Sequence, residues 1–276
     1  MGGKRGKYRP EEFRLRRCHQ CRFAFVANPW TDYAAIYSED YYAGKGADPL
    51  VDYKFELDFP DATIRLYEWR GIASLVRSLL PVRASTAWLD FGCGNGGLVR
   101  YCRERKICQA LGFEEGAMRE EAAKRGVPLL SKSELERLGG AFDVVTAIEV
   151  LEHLEDPLET LRQIRHLLKP GGLLFFTTGN AEPYRDKLLD WRYVIPEIHI
   201  SFYEPETLRR ALLRTGFQPE IRGYLPGFTD IIRFKILKNL RVRRCAAWQD
   251  LLPWPLLTRA ADARYRITRH PIAWAA

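Results

Sequence analysis

Short apolar runs alternate with stretches of helical periodicity through the middle of the chain. The runs are rich in β-branched and aromatic residues, and the stretches between them repeat apolar positions at helical spacing. This alternation predicts an α/β fold, with a mainly parallel sheet covered by helices on both faces and ligands at the carboxyl ends of the strands. The predicted strands cover residues 88–91, 109–114, 127–130, 142–148 and 173–178, and helices are expected to end near Lys106, Arg125 and Leu168.

The segment before this series has a different pattern. Residues 12–27 alternate in two short runs around Cys18-His-Gln-Cys21, which predicts a β-hairpin. An aromatic, turn-rich stretch follows over residues 30–59, and it includes Tyr41, Tyr42, Gly44 and Gly46. A helical pattern over residues 64–79 then ends at Pro81.

The segment after the series extends the sheet. A helix is predicted for residues 205–215 and a strand for 218–224, followed by a helical, partly basic stretch over 226–262. Residues 265–274 suit a last strand, although Pro271 weakens that prediction. We therefore expect an N-terminal cap over 1–60, a ligand-binding core over 61–225, and a helical insertion with a final strand over 226–276 that completes the core.

Composition is that of a globular protein. The chain has 276 residues, of which 46% are hydrophobic and 28% charged, and no run of apolar residues is long enough to span a membrane. The N-terminus is basic and polar, so we expect no signal peptide. The cysteines lack the spacing of a secreted disulfide framework, which favours a reduced cytoplasm; they are Cys18, Cys21, Cys93, Cys102, Cys108 and Cys245.

The formal net charge of +8 is unevenly distributed. Residues 1–22 carry eight Lys or Arg against two Glu, and residues 231–244 carry six against none. Most basic patches are solvated faces, so a nucleic-acid partner is not expected. Residues 234–244 form an amphipathic basic helix candidate, either an ordinary surface helix or part of a peripheral membrane contact through 231–244.

A glycine turn follows the first strand of the series. Gly92, Gly94 and Gly96 permit positive φ and bring the N–H groups of the next helix close to a bound nucleotide. The spacing Gly92-x-Gly94-x-x-Gly97 also satisfies the dinucleotide fingerprint, and Glu114 at the end of the next strand suits a ribose hydroxyl in either case. The glycines alone therefore leave the nucleotide open.

Asp90, at the mouth of this turn, favours one cofactor. Its carboxylate would repel a pyrophosphate but suits the ammonium and sulfonium groups of S-adenosylmethionine. Opposite charges about 4 Å apart attract by ~4 kcal/mol at a near-surface dielectric, before desolvation is counted.

Four motifs in order resemble those of class I S-adenosylmethionine-dependent methyltransferases. Residues 89–96 (Leu-Asp-Phe-Gly-Cys-Gly-Asn-Gly) resemble the first motif and 111–114 (Leu-Gly-Phe-Glu) the ribose-binding strand. Residues 142–153 resemble the fourth motif, and the Lys-Pro-Gly-Gly turn at 169–172 precedes the fifth strand. The resemblance, over about 85–225, implies a Rossmann-like, seven-stranded sheet, S-adenosylmethionine as methyl donor and in-line transfer. The implied cofactor residues are Asp90, Phe91, Gly92, Cys93, Gly94, Gly96 and Glu114.

A cluster of carboxylates and imidazoles follows the fourth strand. Glu149, Glu152 and His153 are spaced i, i+3, i+4, so a helical turn would set them on one face, and His199 recurs before the next helix. The set resembles the metal site of small-RNA 2′-O-methyltransferases, and the same Glu-x-x-Glu-His run occurs in ubiquinone-biosynthesis O-methyltransferases. Three interpretations stay open: a divalent-cation site of all four residues, a general base at His153, and a structural role. The catalytic candidates are His153 and His199.

Two further features have weaker implications. Cys18-x-x-Cys21 resembles half of the four-cysteine zinc ribbon that begins related sugar and glycan methyltransferases, but a tetrahedral site would lack ligands, so zinc is not expected. An aromatic loop after the fifth strand is placed to face an acceptor or simply to pack. Its residues are Asn180, Tyr184, Trp191, Arg192 and Tyr193.

The leading hypothesis is a cytoplasmic S-adenosylmethionine-dependent methyltransferase that acts on a small molecule or a glycan, at oxygen. Nitrogen and carbon acceptors remain alternatives. The rivals are a nicotinamide-dependent oxidoreductase, which Asp90 disfavours, and a non-catalytic methyltransferase-like scaffold. The acceptor and the oligomeric state are not determined by the sequence.

Overall fold

The computed structural model describes residues 1–32, 52–267 and 271–276. Tyr41, Tyr42, Gly44 and Gly46 of the aromatic stretch lie outside the described residues. The strands are β1 (Gly2–Arg5), β2 (Glu12–Arg17), β3 (Ala24–Val26), β4 (Ala87–Phe91), β5 (Gln109–Phe113), β6 (Leu129–Leu130), β7 (Phe142–Ile148), β8 (Leu168–Thr177), β9 (Ser201–Phe202), β10 (Phe217–Ile221) and β11 (Pro271–Ala275).

The helices lie between and after these strands. They are α1 (Tyr53–Asp58), α2 (Arg65–Leu79), α3 (Gly97–Glu104), α4 (Met118–Lys124), α5 (Lys132–Arg137), α6 (Pro157–Leu167), α7 (Pro205–Arg214), α8 (Phe228–Asn239) and α9 (Trp254–Tyr265). Short 3₁₀ turns occur at Leu151–His153, Glu182–Tyr184, Leu188–Asp190 and Ala247–Leu251.

The core is a seven-stranded sheet in the order β10-β11-β8-β7-β4-β5-β6. Strands β4 to β8 pair in parallel, and β11 runs antiparallel to both of its neighbours. The predicted seven-stranded, mostly parallel sheet is confirmed. Because β7 is covered on both faces, its side chains alternate between two apolar layers: Val144 packs with α2, α3 and α8, and Val145 with α6 and α7. Each fully buried valine contributes about 1.5–3 kcal/mol.

Local signals explain where the helices of the core begin. Asp156 accepts a hydrogen bond from the N–H of Glu159 at the start of α6, and Pro157 occupies the first turn. Ser131 and Glu134 form a reciprocal capping box at the start of α5. These caps hold the helices over the sheet with their first turns satisfied.

Some predicted boundaries need correction. Strand β6 is limited to Leu129–Leu130, β8 begins earlier than predicted, and β11 begins only at Pro271 because α9 continues to Tyr265. Pro271 is the first residue of its strand, a position where proline is tolerated in a sheet.

The N-terminal cap is a separate antiparallel sheet, ordered β1-β2-β3-β9. The predicted hairpin is its β2–β3 pair, with Cys18 and Cys21 in the connecting turn as free thiols. Strands β1 and β9 were not predicted. Strand β9 comes from the core region, where Phe202 pairs with Ala24 and Ser201 with Phe25, so the cap is anchored beside the segment that carries His199. Among the described residues, no helix has the length and apolar character needed to cross a membrane.

Candidate cofactor and acceptor site

The glycine turn joins β4 to α3 at the carboxyl edge of the sheet. Gly92, Gly94 and Gly96 have φ of 71°, 54° and 72°, in the left-handed region. A Cβ at Gly92 would lie 2.6 Å from a methyl of Val150, whereas a Cβ at Gly94 would meet only Tyr53, at 3.8 Å. The turn therefore packs closely against the segment after β7 and leaves room at Gly94.

Asp90, the last acid before this turn, is buried. Its Oδ1 accepts a 2.7 Å hydrogen bond from the hydroxyl of Thr146, which in turn accepts from the indole N–H of Trp88 at 3.0 Å. Burial raises the pKa of the Asp90 carboxyl to about 7, with a further contribution from the charge of Glu114, against the opposing effect of the Thr146 hydrogen bond. Asp90 is thus poised to ionise when a cation approaches.

Glu114, the residue directly after β5, connects that strand to the glycine turn. Its Oε2 accepts from the N–H of Gly94 at 2.8 Å, and its Oε1 accepts from the N–H of Gly116 at 2.6 Å. The structure therefore brings Asp90, Glu114 and the glycines together at one edge of the sheet, as the sequence predicts. Their contacts with a cofactor stay a prediction.

Phe91 and Cys93 of the predicted cofactor set have buried side chains. The ring of Phe91 packs against Phe113 at 5.1 Å between centroids. The Cys93 sulfur occupies space beside Gly112, where a Cβ would lie only 2.6 Å from it. Burial raises the pKa of the Cys93 thiol well above its usual range, so Cys93 is not activated as a nucleophile.

A buried ionic network supports the turn from the other side. Asn95 donates to Glu56 of α1 at 2.9 Å, and Arg65 bonds both Glu56, at 3.0 Å, and Glu68, at 2.7 Å. Burial raises the pKa of Glu56 even though Arg65 opposes the shift. These contacts are not apparent from the sequence, because Glu56 and Arg65 are distant from the glycine motif in the chain.

Two histidines face each other beside this edge. The Nδ1 of His153 lies 2.7 Å from the carbonyl oxygen of Ile198, and the Nδ1 of His199 lies 2.6 Å from that of Tyr193. Because a carbonyl oxygen only accepts, a neutral ring in either place carries its proton on Nδ1 and its lone pair on Nε2. The ring centroids are 5.0 Å apart. Burial lowers the pKa of His153, which favours the neutral ring.

Glu152 completes the cluster. Its side chain is fully buried and accepts from the Tyr193 hydroxyl at 2.5 Å and from the Thr178 hydroxyl at 2.8 Å. Burial, reinforced by the charge of Glu149, raises the pKa of Glu152 to about 8. One ligand atom each from Glu152, His153 and His199 lie within 4.8 Å of one another, the one such group among the described residues.

Glu149 does not share a helical face with Glu152 and His153, so this part of the prediction is wrong. Glu149 directly follows β7 and has a φ of 55°, in the left-handed region. The 3₁₀ turn that follows covers only Leu151–His153 and does not include Glu149. The carboxylate of Glu149 lies 3.0 Å from the ammonium of Lys235. Burial would raise the pKa of Glu149, but Lys235 outweighs it and lowers the pKa to about 2.

Lys235 and Tyr193 are the residues at the site that the sequence analysis did not assign to the chemistry. Lys235 lies on α8 between apolar residues. A lysine in such a position could have been recognised from the sequence as a candidate partner for a buried carboxylate. Tyr193 belongs to the predicted aromatic loop and stacks between Trp191, at 4.7 Å, and His199, at 4.1 Å. Its hydroxyl also lies 3.3 Å from Glu149, so it bridges the two carboxylates.

Comparison with known proteins agrees with this arrangement. Residues 64–220 match the family model described as a methyltransferase domain. The chain is 33% identical over 226 residues to the ubiquinone biosynthesis O-methyltransferase of Vibrio cholerae, across 69% of this chain and 89% of that protein. It is 32% identical over 148 residues to the protein of the same name from Nitrosospira multiformis, across 46% of this chain and 61% of that protein.

A solved structure shows the same fold. The S-adenosylmethionine-dependent methyltransferase of Archaeoglobus fulgidus superposes with a TM-score of 0.50 at 18% identity, over 80% of this chain and 98% of that one. The sheet order, the glycine turn and the acid at its mouth define a class I methyltransferase. The chain belongs to the S-adenosylmethionine-dependent methyltransferases, and the nicotinamide alternative is set aside.

Proposed function

We propose that this methyltransferase methylates a hydroxyl oxygen of a small molecule or a glycan. The observation that carries the proposal is the pair of imidazoles, His153 and His199, each with its Nδ1 at a carbonyl oxygen, so that a neutral ring carries its lone pair on Nε2. The O-methyltransferase relatives support oxygen as the acceptor atom. Oxygen acceptors need such a group because a neutral hydroxyl must lose its proton during methyl transfer.

The residues that would bind the cofactor lie in and around the turn after β4. Asp90 would pair with the ammonium of S-adenosylmethionine. Glu114, which now accepts hydrogen bonds from the N–H groups of Gly94 and Gly116, would accept one from a ribose hydroxyl instead. The space at Gly94 would admit the cofactor against bare backbone. The backbone of the turn would frame the ligand through Phe91, Gly92, Cys93, Gly94 and Gly96.

At the acceptor end, the chain's residues orient the hydroxyl and receive its proton. When bound, S-adenosylmethionine supplies an electrophilic methyl group on its sulfonium. An imidazole Nε2 of His153 or His199 would accept the hydroxyl proton, while the oxygen gains its bond to the methyl carbon and the bond between that carbon and the sulfonium sulfur breaks. Tyr193 holds Glu152 and stacks on His199, so it fixes the position of that ring.

The same cluster fits a divalent cation, which is the second candidate. A carboxylate with two imidazoles is a mixed oxygen and nitrogen donor set, and carbonyl bonds to Nδ1 are the usual support of metal-bound histidine. Glu152, His153 and His199 would hold the ion, and Glu149 would not, because it is paired with Lys235. A bound cation would lower the pKa of an acceptor hydroxyl.

The test uses S-adenosylmethionine with a labelled methyl group and three acceptors: an aromatic diol, a monosaccharide and an aromatic amine. We expect label on oxygen, with His199→Asn and His153→Gln losing 10²–10⁴-fold in kcat. His166→Gln, an exposed histidine on α6, is the matched control and should keep full activity.

The effect of a chelator decides between a histidine base and a bound cation. A chelator that abolishes activity, restored by Mn²⁺ or Mg²⁺, supports the cation, whereas unchanged turnover leaves a histidine base. Transfer of label to nitrogen only, or full activity in both histidine variants, would refute the proposal.

A further inference from the structure

Four large apolar side chains are exposed between positions 240 and 256 of the C-terminal insertion. Leu240 is 65% exposed at the end of α8, Trp248 47% and Leu251 85% in the following 3₁₀ turn, and Leu256 64% on the first turn of α9. We call these four residues the insertion patch. Single exposed leucines are common on protein surfaces, but four within 17 residues of sequence are not explained by packing.

The backbone of the patch is held by buried contacts, so the exposure is built into the fold. Gln249 is fully buried and accepts from the hydroxyl of Tyr67 at 2.9 Å, and its amide donates to the carbonyl of Arg244 at 2.8 Å. The indole of Trp254 donates to the Gln249 carbonyl at 2.6 Å. Since i and i+3 eclipse in a 3₁₀ turn, Trp248 and Leu251 lie on the same side of it.

The segment that carries the patch has a positive net charge. Between residues 238 and 259 the only acid is Asp250, and it pairs with the buried Arg233 at 2.8 Å. Arginines alternate with the apolar residues and are exposed: Arg241, Arg243, Arg244 and Arg259. Arg243 also bonds Asp52 at 2.8 Å, which ties this surface to α1.

The predicted membrane contact over 231–244 needs correction in the light of these positions. Four of its apolar residues, Ile231, Ile232, Phe234 and Leu237, are buried against the core, whereas Leu240 is exposed. The exposed apolar side chains therefore begin only at Leu240, at the end of α8, and the other three follow residue 244.

We propose that the insertion patch docks this enzyme on an anionic lipid surface. Leucine side chains and an indole with a basic rim are the composition of an interfacial contact, in which apolar groups enter the headgroup region and arginines meet lipid phosphates. A second copy of the chain is disfavoured as the occupant, because two identical basic rims would repel each other.

The docked surface would lie close to the candidate site. Lys235, which pairs with Glu149, precedes Leu240 by five residues on α8, a rise of about 7 Å along the helix axis. Docking would therefore bring the acceptor side of the enzyme near the lipid headgroups. The proposal does not depend on which acceptor atom is methylated.

Vesicle flotation of the full chain tests the proposal. The vesicles are phosphatidylcholine with and without about one third phosphatidylglycerol. We expect binding to the anionic vesicles, at least ~10-fold weaker in Leu251→Ser/Leu256→Ser and weakened by high salt. Leu213→Ser/Ile221→Ser, with 49% and 51% exposed side chains elsewhere, is the matched control and should bind like the wild type.

Folding and association are followed in parallel by circular dichroism and light scattering. Arg241→Asn/Arg259→Gln should weaken binding to anionic vesicles only, and asparagine tolerates the left-handed φ of 59° at position 241. Equal flotation of the wild type and the folded leucine variant, or no flotation of the wild type, would overturn the proposal. So would a wild-type dimer that the leucine substitutions convert to monomer.

Discussion

Replacing Asp90 with asparagine should stabilise the ligand-free enzyme while weakening cofactor binding. Asp90 is buried beneath the glycine turn, and its pKa is raised from 3.8 to about 7, chiefly by burial. Between about pH 4 and pH 7 the folded protein therefore holds a proton that the unfolded chain has already released. Stability falls as the pH rises through that window, because the folded state binds more protons than the unfolded state.

The magnitude follows from the size of the shift. About three pKa units at ~1.4 kcal/mol each give ~4 kcal/mol of destabilisation above pH 7. Asparagine removes this cost and still offers an oxygen to the Thr146 hydroxyl, but its buried NH₂ group costs ~1–3 kcal/mol. The net gain at pH 8 is ~1–3 kcal/mol, or roughly 2–4 °C in Tm for each kcal/mol.

Binding of S-adenosylmethionine should change in the opposite direction. The cofactor's positive charges favour the ionised form of Asp90, so the asparagine variant should bind it 10- to 100-fold more weakly at pH 8. In the wild type, affinity should rise about tenfold from pH 6 to pH 8, since a group with a pKa of about 7 is roughly one-tenth ionised at pH 6 and almost fully ionised at pH 8. The variant should show no such dependence.

Calorimetric titration at pH 6, 7 and 8, with thermal unfolding of the ligand-free proteins at the same pH values, measures both effects. The reasoning about Asp90 would be refuted by a lower Tm of the asparagine variant at pH 8 in ligand-free protein. Cofactor affinity equal to that of the wild type would contradict its proposed role at the ammonium.

Two other substitutions test the geometry of the site. Gly92→Ala should cost ~2–4 kcal/mol and abolish cofactor binding, because its Cβ meets Val150 at 2.6 Å and φ is 71°. Gly126→Ala, with φ of 77° and open space around the Cβ, is the control and should cost only ~1–2 kcal/mol in thermal unfolding. Lys235→Met should cost ~1–2 kcal/mol at pH 7, since it leaves Glu149 without its cation in a partly screened pair. The pKa of Glu149 is lowered from 4.5 to about 2, so this loss is present above pH 4.5 and disappears as the pH falls toward 2; undiminished loss in chemical denaturation at pH 3 would contradict the pairing.

The local patterns of the core predicted its structure well, for a physical reason. Strand β7 has an apolar residue at nearly every position, and such a run is stable only inside a parallel sheet covered on both faces. The glycine turn was equally predictable, because Gly92 needs a backbone conformation that other residues rarely adopt. The domain boundaries inferred from the order of predicted elements stay a prediction.

The error at Glu149 has a tertiary cause. Spacing of i, i+3, i+4 predicts one helical face, but the chain is kinked at Glu149, whose N–H bonds the Thr177 carbonyl of the adjacent strand at 2.9 Å. Helical periodicity describes only local contacts and carries no information about a lysine 86 positions later in the chain.

The sequence by itself determined the parallel sheet, the glycine turn with Asp90 at its mouth, and hence the class of cofactor, because these depend on residues that are neighbours in the chain. Only the tertiary structure decided which groups share the candidate acceptor site. In the folded chain, Glu152 and His153 lie beside His199, Glu149 pairs with Lys235, and the insertion patch is exposed. Each of these features depends on packing between segments that are distant in sequence.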